Sequence, residues 1–274
     1  NHCPGAALFL FHFKSGRKVL HTGDFRWDRE SMLRQSALLR SLVAPNPNVN
    51  SSLGVYLDTT YCDSNYDFPP QKLAVAAVVE CVLKELAAEP STLFVFGAYQ
   101  IGKERVWMAV AERLHCHVHV DEGRKKGMLC FDWPASQLDR LSTSGKDSIL
   151  WVRPMRDLNF NAMTKMRRSR ESVSGKPCKR VVAFQPTGWT FQSDGKGGRG
   201  KKAATPSPAS LLRERKSGPD SIYSLPYSEH SSFTELLDFL RTFRPSTVIP
   251  TVNTQKDKVK AQLNLLKTSS GVYG

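Results

Sequence analysis

Nowhere in the 274 residues does an apolar run approach the ~20 that a membrane-spanning helix needs. The AALFLF stretch at 6–11 is short and is followed at once by His12 and Lys14, so neither a membrane span nor a signal peptide is visible. A CxxC pair is missing as well. The six cysteines (Cys3, Cys62, Cys81, Cys116, Cys130 and Cys178) are scattered, which argues for free thiols in a reducing compartment and against a zinc knuckle or a small disulfide scaffold. No internal repeat occurs. Acidic residues are scarce beside basic ones, 25 against 39, leaving a net charge of +14.

What is present is a globular composition, 40% hydrophobic and 9% aromatic, on a chain long enough for one large domain or two interleaved ones. The positive surplus is concentrated. Residues 165–180 carry seven cations against Glu171, and residues 192–216 carry seven against Asp194 and Glu214. Clustered Lys and Arg attract polyanions through counterion release without reading sequence, so nucleic acid is the natural partner. The second cluster lies in SDGKGGRGKKAATPSPAS, a Gly/Ser/Pro-rich stretch expected to be a disordered insertion at about 192–216, and a solvated loop or import signal reads it equally well.

Short apolar runs at 7–13 and 18–21 flank Ser15-Gly16 and predict a hairpin; strands are expected at 53–57, 93–96, 180–184, 222–225 and 248–249. Leu73, Val75, Val78, Val79, Val82, Leu83 and Leu86 fall at helical spacing after Pro69-Pro70, and 101–114 and 233–243 read as helices too. The alternation is that of an α/β protein.

Residues able to bind metal stand at strand ends: His2, Asp24 in HTGDFR, Asp58 in YLDTTY and His230 in PYSEHSS. Singly, each has an ordinary explanation. An Asp beside Gly is a turn former, and Ser231 or Ser232 can cap a helix. The strings NHCPGA, HTGDFR, LDTTYC, GAYQIGKERV, AFQPTGWT, PYSEHSS and VIPTVN, taken in order, closely resemble the DNA cross-link repair nucleases of the metallo-β-lactamase superfamily, β-CASP branch, from Asn1 to about Asn253.

That resemblance implies a metallo-β-lactamase αββα sandwich, partial and lacking its N-terminal strands, with an inserted β-CASP α/β cap. Residues 1–60 and 181–274 would form the split sandwich domain and 61–180 the cap. It implies zinc, one or two ions in the complete protein, held by His2, Asp24 and His230. Asp24 and Asp58 are the implied catalytic carboxylates, Asp24 bridging metals and Asp58 handling protons beside the ligands. Thr60, Tyr61, Ser231 and Ser232 are hydroxyl donors suited to a terminal phosphate. Lys103 is a further phosphate candidate, its alternative being a solvated helix start. The implied activity is 5′-to-3′ exonuclease action on 5′-phosphorylated or single-stranded DNA ends in cross-link or break repair, in the nucleus and alongside repair proteins.

The family's principal metal motif, HxHxDH, does not occur among these residues, and Asn1 stands inside the first motif without a Met. The sequence therefore reads as part of a longer chain, inactive as it stands. HCHVHVD mimics a metal motif with His115, His117 and His119, but Val118 and Val120 alternate as strand core, so the three histidines are left out of the site. Two other functions compete: an RNA-processing β-CASP nuclease, and a non-catalytic DNA-binding pseudoenzyme. RNA-type relatives carry a further histidine in the last motif, where Val252 stands here, which favours DNA.

Overall fold

A computed structural model describes residues 2–43, 50–188 and 208–271. In chain order the first elements are β1 (Phe9–His12), β2 (Lys18–His21), α1 (Arg29–Gln35), α2 (Ala37–Leu42) and β3 (Asn50–Leu57). There follow α3 (Gln71–Ala88), β4 (Thr92–Ala98), α4 (Glu104–Leu114), β5 (Val118–His119), α5 (Glu122–Met128), α6 (Ala135–Leu138), β6 (Leu141–Ser142) and β7 (Leu150–Pro154). The chain continues with α7 (Phe160–Ser174), β8 (Arg180–Pro186), β9 (Arg213–Ser217), β10 (Asp220–Leu225), α8 (Phe233–Phe243), β11 (Pro245–Pro250) and α9 (Lys256–Ser270). No helix among the described residues is long and apolar enough to cross a membrane.

The described residues gather into two compact units, 2–67 with 228–271 and 68–188 with 208–227. In the first, β1 and β2 form the expected antiparallel hairpin, and β3 and β11 extend it in parallel, giving the order β1-β2-β3-β11. Strand alternation puts Leu53, Val55 and Leu57 on one face, where they bury with Leu20 against Phe25, Trp27, Leu236, Phe239 and Phe243. Helix α8 starts where the chemistry says it should: the Ser232 side chain accepts from the Glu235 amide while the Glu235 carboxylate accepts from the Ser232 amide.

The second unit is built on a seven-stranded sheet, β6-β5-β7-β4-β8-β10-β9, parallel except for the edge strand β9. All seven residues of β4 are buried, because both faces of the sheet are covered. Phe94 and Phe96 pack on the α3/α4 side, Phe96 stacking on Phe184 at 5.2 Å, and Leu93, Val95 and Trp151 pack with Met163 of α7 on the other.

Two outcomes differ from the sequence reading. The compact units divide at 67/68 and 227/228 rather than 60/61 and 180/181, because β8 lies between β4 and β10 in the second sheet. The expected disordered insertion at 192–216 lies outside the described residues as far as 207, but its end is ordered: 208–211 form a 3-10 turn and β9 pairs antiparallel with β10.

Candidate metal centre

The first unit brings three of the predicted ligands together. One donor atom from each of His2, Asp24 and His230 lies within 4.8 Å of the others, the one grouping of this kind among the described residues. Each is delivered by a loop at a strand or helix end. Thr22 is fully buried after β2; its hydroxyl donates to the Gly23 carbonyl at 2.8 Å and accepts from the Asp58 amide at 3.0 Å. Gly23 turns the chain at φ +55°, a conformation that glycine adopts without strain, and so presents Asp24 to solvent. The Phe25 amide then donates to Asp58 Oδ2 at 3.2 Å, pinning the loop after β2 to the loop after β3.

Both imidazoles are oriented through Nδ1. His2 Nδ1 donates to the Glu229 carbonyl at 3.0 Å, and His230 Nδ1 donates to Asp58 Oδ2 at 2.7 Å. A neutral imidazole that spends its Nδ1 proton this way keeps the Nε2 lone pair for a metal. The rings stand 4.6 Å apart at 65°, and His2 Nε2 is 4.0 Å from Asp24 Oδ2.

Asp58 is almost wholly buried, with 2% exposure. Its Oδ1 accepts from the Thr60 amide at 3.0 Å and the Thr60 hydroxyl at 2.6 Å. Burial pushes its pKa up, but the hydrogen bonds from His230 and Thr60 outweigh that and hold the carboxyl below the usual range. Two imidazole nitrogens and one carboxylate oxygen are a donor set that suits zinc. A tetrahedral zinc with ligands at about 2.1 Å spaces its donors about 3.4 Å apart, so the group must contract, and the exposed Asp24 side chain is free to do so.

The remaining sequence-predicted residues fall differently. Ser231 and Ser232 are not hydroxyl donors open to a ligand: Ser231 Oγ accepts from the Trp27 amide at 3.0 Å and donates to the Phe25 carbonyl at 3.1 Å, and Ser232 caps α8. Both are buried and hold the loop that carries His230. Thr60 donates to Asp58, and the Tyr61 ring is buried 6.2 Å from the His230 ring. Lys103 belongs to the second unit, where it begins α4 at φ 71° with its ammonium 5.3 Å from the Tyr227 ring centroid.

The basic stretch 165–180 is partly structural. Arg170 is buried and donates to the Lys146 carbonyl, Arg180 pairs with Glu85, and Arg167 lies 3.6 Å from Asp220. In HCHVHVD, His115 closes α4 at φ 49°, and Val118 and Val120 are buried as expected. Sequence reasoning missed Thr22, visible only as a hydroxyl in HTGD, and the Glu229 carbonyl, a backbone group that no residue type announces.

Comparison with known proteins agrees with the motifs. Residues 136–256 match the family described as DNA repair metallo-beta-lactamase. The chain is 38% identical over 254 residues to DNA cross-link repair protein SNM1 of Arabidopsis thaliana, covering 92% of this chain and 47% of that protein. It is 35% identical over 256 residues to DNA cross-link repair 1A protein of Gallus gallus (92% and 23%) and 27% identical over 252 residues to 5' exonuclease Apollo of Danio rerio (92% and 35%). The chain thus spans about half the length, or less, of the curated relatives it matches. By its ordered motifs, its α/β fold and these relatives, the chain is similar to the DNA cross-link repair proteins of the metallo-β-lactamase superfamily, β-CASP branch, and residues 136–256 carry the DNA repair metallo-beta-lactamase match.

Proposed function

We propose that this chain carries part of a zinc-dependent nuclease centre that hydrolyses 5′-phosphorylated DNA ends, 5′ to 3′, in nuclear cross-link or break repair. One observation carries the reading: two imidazoles fixed through Nδ1, by a backbone carbonyl and by a buried carboxylate, stand with an exposed aspartate so that one donor atom of each lies within 4.8 Å of the others. His2, Asp24 and His230 are the ligands. Bound zinc supplies a Lewis acid and an acidified water there.

Asp58 is a positioning residue. Its negative charge holds the His230 proton on Nδ1 and strengthens the ring as a donor, while Thr60 holds the carboxylate in place. Thr60 and Tyr61 are the substrate contacts within the first unit, Lys103 is a phosphate contact within the second, and Ser231 and Ser232 serve by fixing the His230 loop. DNA is favoured over RNA by Val252 in the last motif and by the cross-link repair relatives. The HxHxDH string is not among these residues, so three donors hold the metal and turnover by these 274 residues alone is slow or nil.

The test is zinc uptake followed by competition with a chromophoric chelator. One zinc per chain is expected, lost in Asp24→Ala and His230→Ala. Uptake that survives either substitution removes the site assignment.

A further inference from the structure

The second unit holds a guanidinium whose partners are all neutral. Arg153, near the carboxyl end of β7, donates from Nη2 to His119 Nε2 at 3.1 Å and lies 4.8 Å from the centroid of the Trp151 ring. No carboxylate lies within ion-pair distance of it among the described residues. Asp121 and Asp157 act on it only at longer range, and they pair instead with Arg124 and Arg156, each at 3.8 Å. Burial and the charge of Arg153 hold the His119 pKa below its ordinary value, so the ring is the neutral acceptor that this bond needs. A half-buried arginine is ordinarily neutralised by a carboxylate. Here it is oriented by an imidazole and an indole face, which fix its direction and leave its charge, Nε and Nη1 uncommitted among the described residues.

Its place in the fold is the second observation. From β4 the chain passes through α4 to β5 and β6 on one side of the sheet, and from β7 it passes through α7 to β8 and β10 on the other. The strand order therefore reverses at β4 and β7, and ligands of open parallel sheets bind at the carboxyl ends of strands at such a reversal. Gly97 and Ala98 of β4 are in register with Arg153 and Pro154 on strands about 4.8 Å apart, and Tyr99 is the first residue past the carboxyl end of β4, two positions beyond the register partner of Arg153. Tyr99 is 61% exposed, with the Lys103 ammonium 5.9 Å from its ring centroid. An oriented cation and an exposed aromatic ring at the carboxyl ends of adjacent strands offer what single-stranded nucleic acid binds, phosphate to the cation and base to the ring.

We infer that the carboxyl edge of β4 and β7 is a seat for single-stranded nucleic acid, in which Arg153 takes a phosphodiester and Tyr99 stacks a base. His119 is a positioning residue for Arg153. The inference rests on the nucleic-acid reading above but not on the metal centre.

The experiment is fluorescence anisotropy of a short, mixed-sequence, 3′-labelled single-stranded DNA with the full chain, titrated across salt concentrations in a chelating buffer that blocks hydrolysis. Arg153→Gln should weaken binding and make the slope of log K against log salt shallower by about 0.7, the loss of one phosphate contact. Arg153→Lys should keep the slope and lose part of the affinity. Tyr99→Ala should weaken binding about fivefold or more with the slope unchanged. Unaltered slope and affinity in Arg153→Gln, or unaltered affinity in Tyr99→Ala, overturns the seat. Should Arg153→Gln melt at a lower temperature, the exposed Tyr99→Ala and charge-retaining Arg153→Lys variants decide. Normal zinc uptake with no effect of Arg153→Gln removes the seat alone; no zinc uptake with the slope difference intact removes the metal centre alone.

Discussion

The two units treat apolar surface in opposite ways, and one arginine of the second is held unlike the paired charges of either. The seven-stranded sheet is covered on both faces, and β4 is buried at every position. The four-stranded sheet is covered on one face; on the other, Phe9 and Phe11 of β1 are 59% and 52% exposed, with Tyr56 and Ile249 at 38% and 36%. The polar contrast is between single groups, since the second unit also pairs Arg180 with Glu85. In the first unit Arg26 is buried against the Glu235 carboxylate, and Asp58 is buried against His230. In the second, Arg153 is held by a neutral ring. The lesson is that a charge meant to position a neighbour is paired, whereas one left available to a ligand is oriented without being neutralised.

The comparison can be broken most sharply in the second core. Phe96→Ala removes a fully buried ring stacked on Phe184, and a loss of about 3–5 kcal/mol is expected. Hydrogen exchange should accelerate in 68–188 and 208–227 and not in 2–67 and 228–271; equal acceleration in both would show one shared core. A smaller effect is expected at the metal centre's support. Ser232→Ala breaks the capping box of α8 at a cost of about 1 kcal/mol, read as a lower melting temperature, with weaker zinc binding because the His230 loop loosens. No change in either would make the cap irrelevant to the site.

The exposed sheet face should respond least to loss of its rings. Phe11→Ser is expected to change stability by no more than about 0.5 kcal/mol and to reduce self-association in sedimentation, whereas a large destabilisation would mean the face is covered after all. Thiol chemistry sharpens the contrast between buried and open positions. Burial pushes Cys62 and Cys81 up to about 12, so both stay protonated and unreactive at pH 8 until the chain unfolds. Exposed Cys130 should be labelled first in native protein, and early labelling of Cys62 would contradict its burial.

Much of the fold was legible because its signals are local. Helix 233–243 matched residue for residue, with Ser232, one of the two serines read as a possible cap, at its start and one buried face repeating along it. Helix α7 was not legible: only Met163 and Arg170 are buried on it, and its run of basic residues reads as a surface cluster. Strand β9, Arg-Glu-Arg-Lys-Ser, is exposed at all positions and exists because β10 offers it an edge. The grouping of His2, Asp24 and His230 was legible as residue types at strand ends within the ordered strings. Its orienting bonds were not, since the Glu229 carbonyl has no residue-type signature and Asp58 meets His230 across 172 positions. The Arg153–His119 pair escaped for the same reason, with His119 read only as a strand residue.

The central claim is that His2, Asp24 and His230 bind zinc and that Asp58 aims His230. A zinc affinity series across wild type, His230→Ala and Asp58→Asn, at constant pH with a competing chelator, tests it most directly. The account predicts one zinc in the wild type, none in His230→Ala, and about 10- to 100-fold weaker binding in Asp58→Asn, whose amide no longer favours the Nδ1 proton. Equal affinity in all three proteins would contradict it.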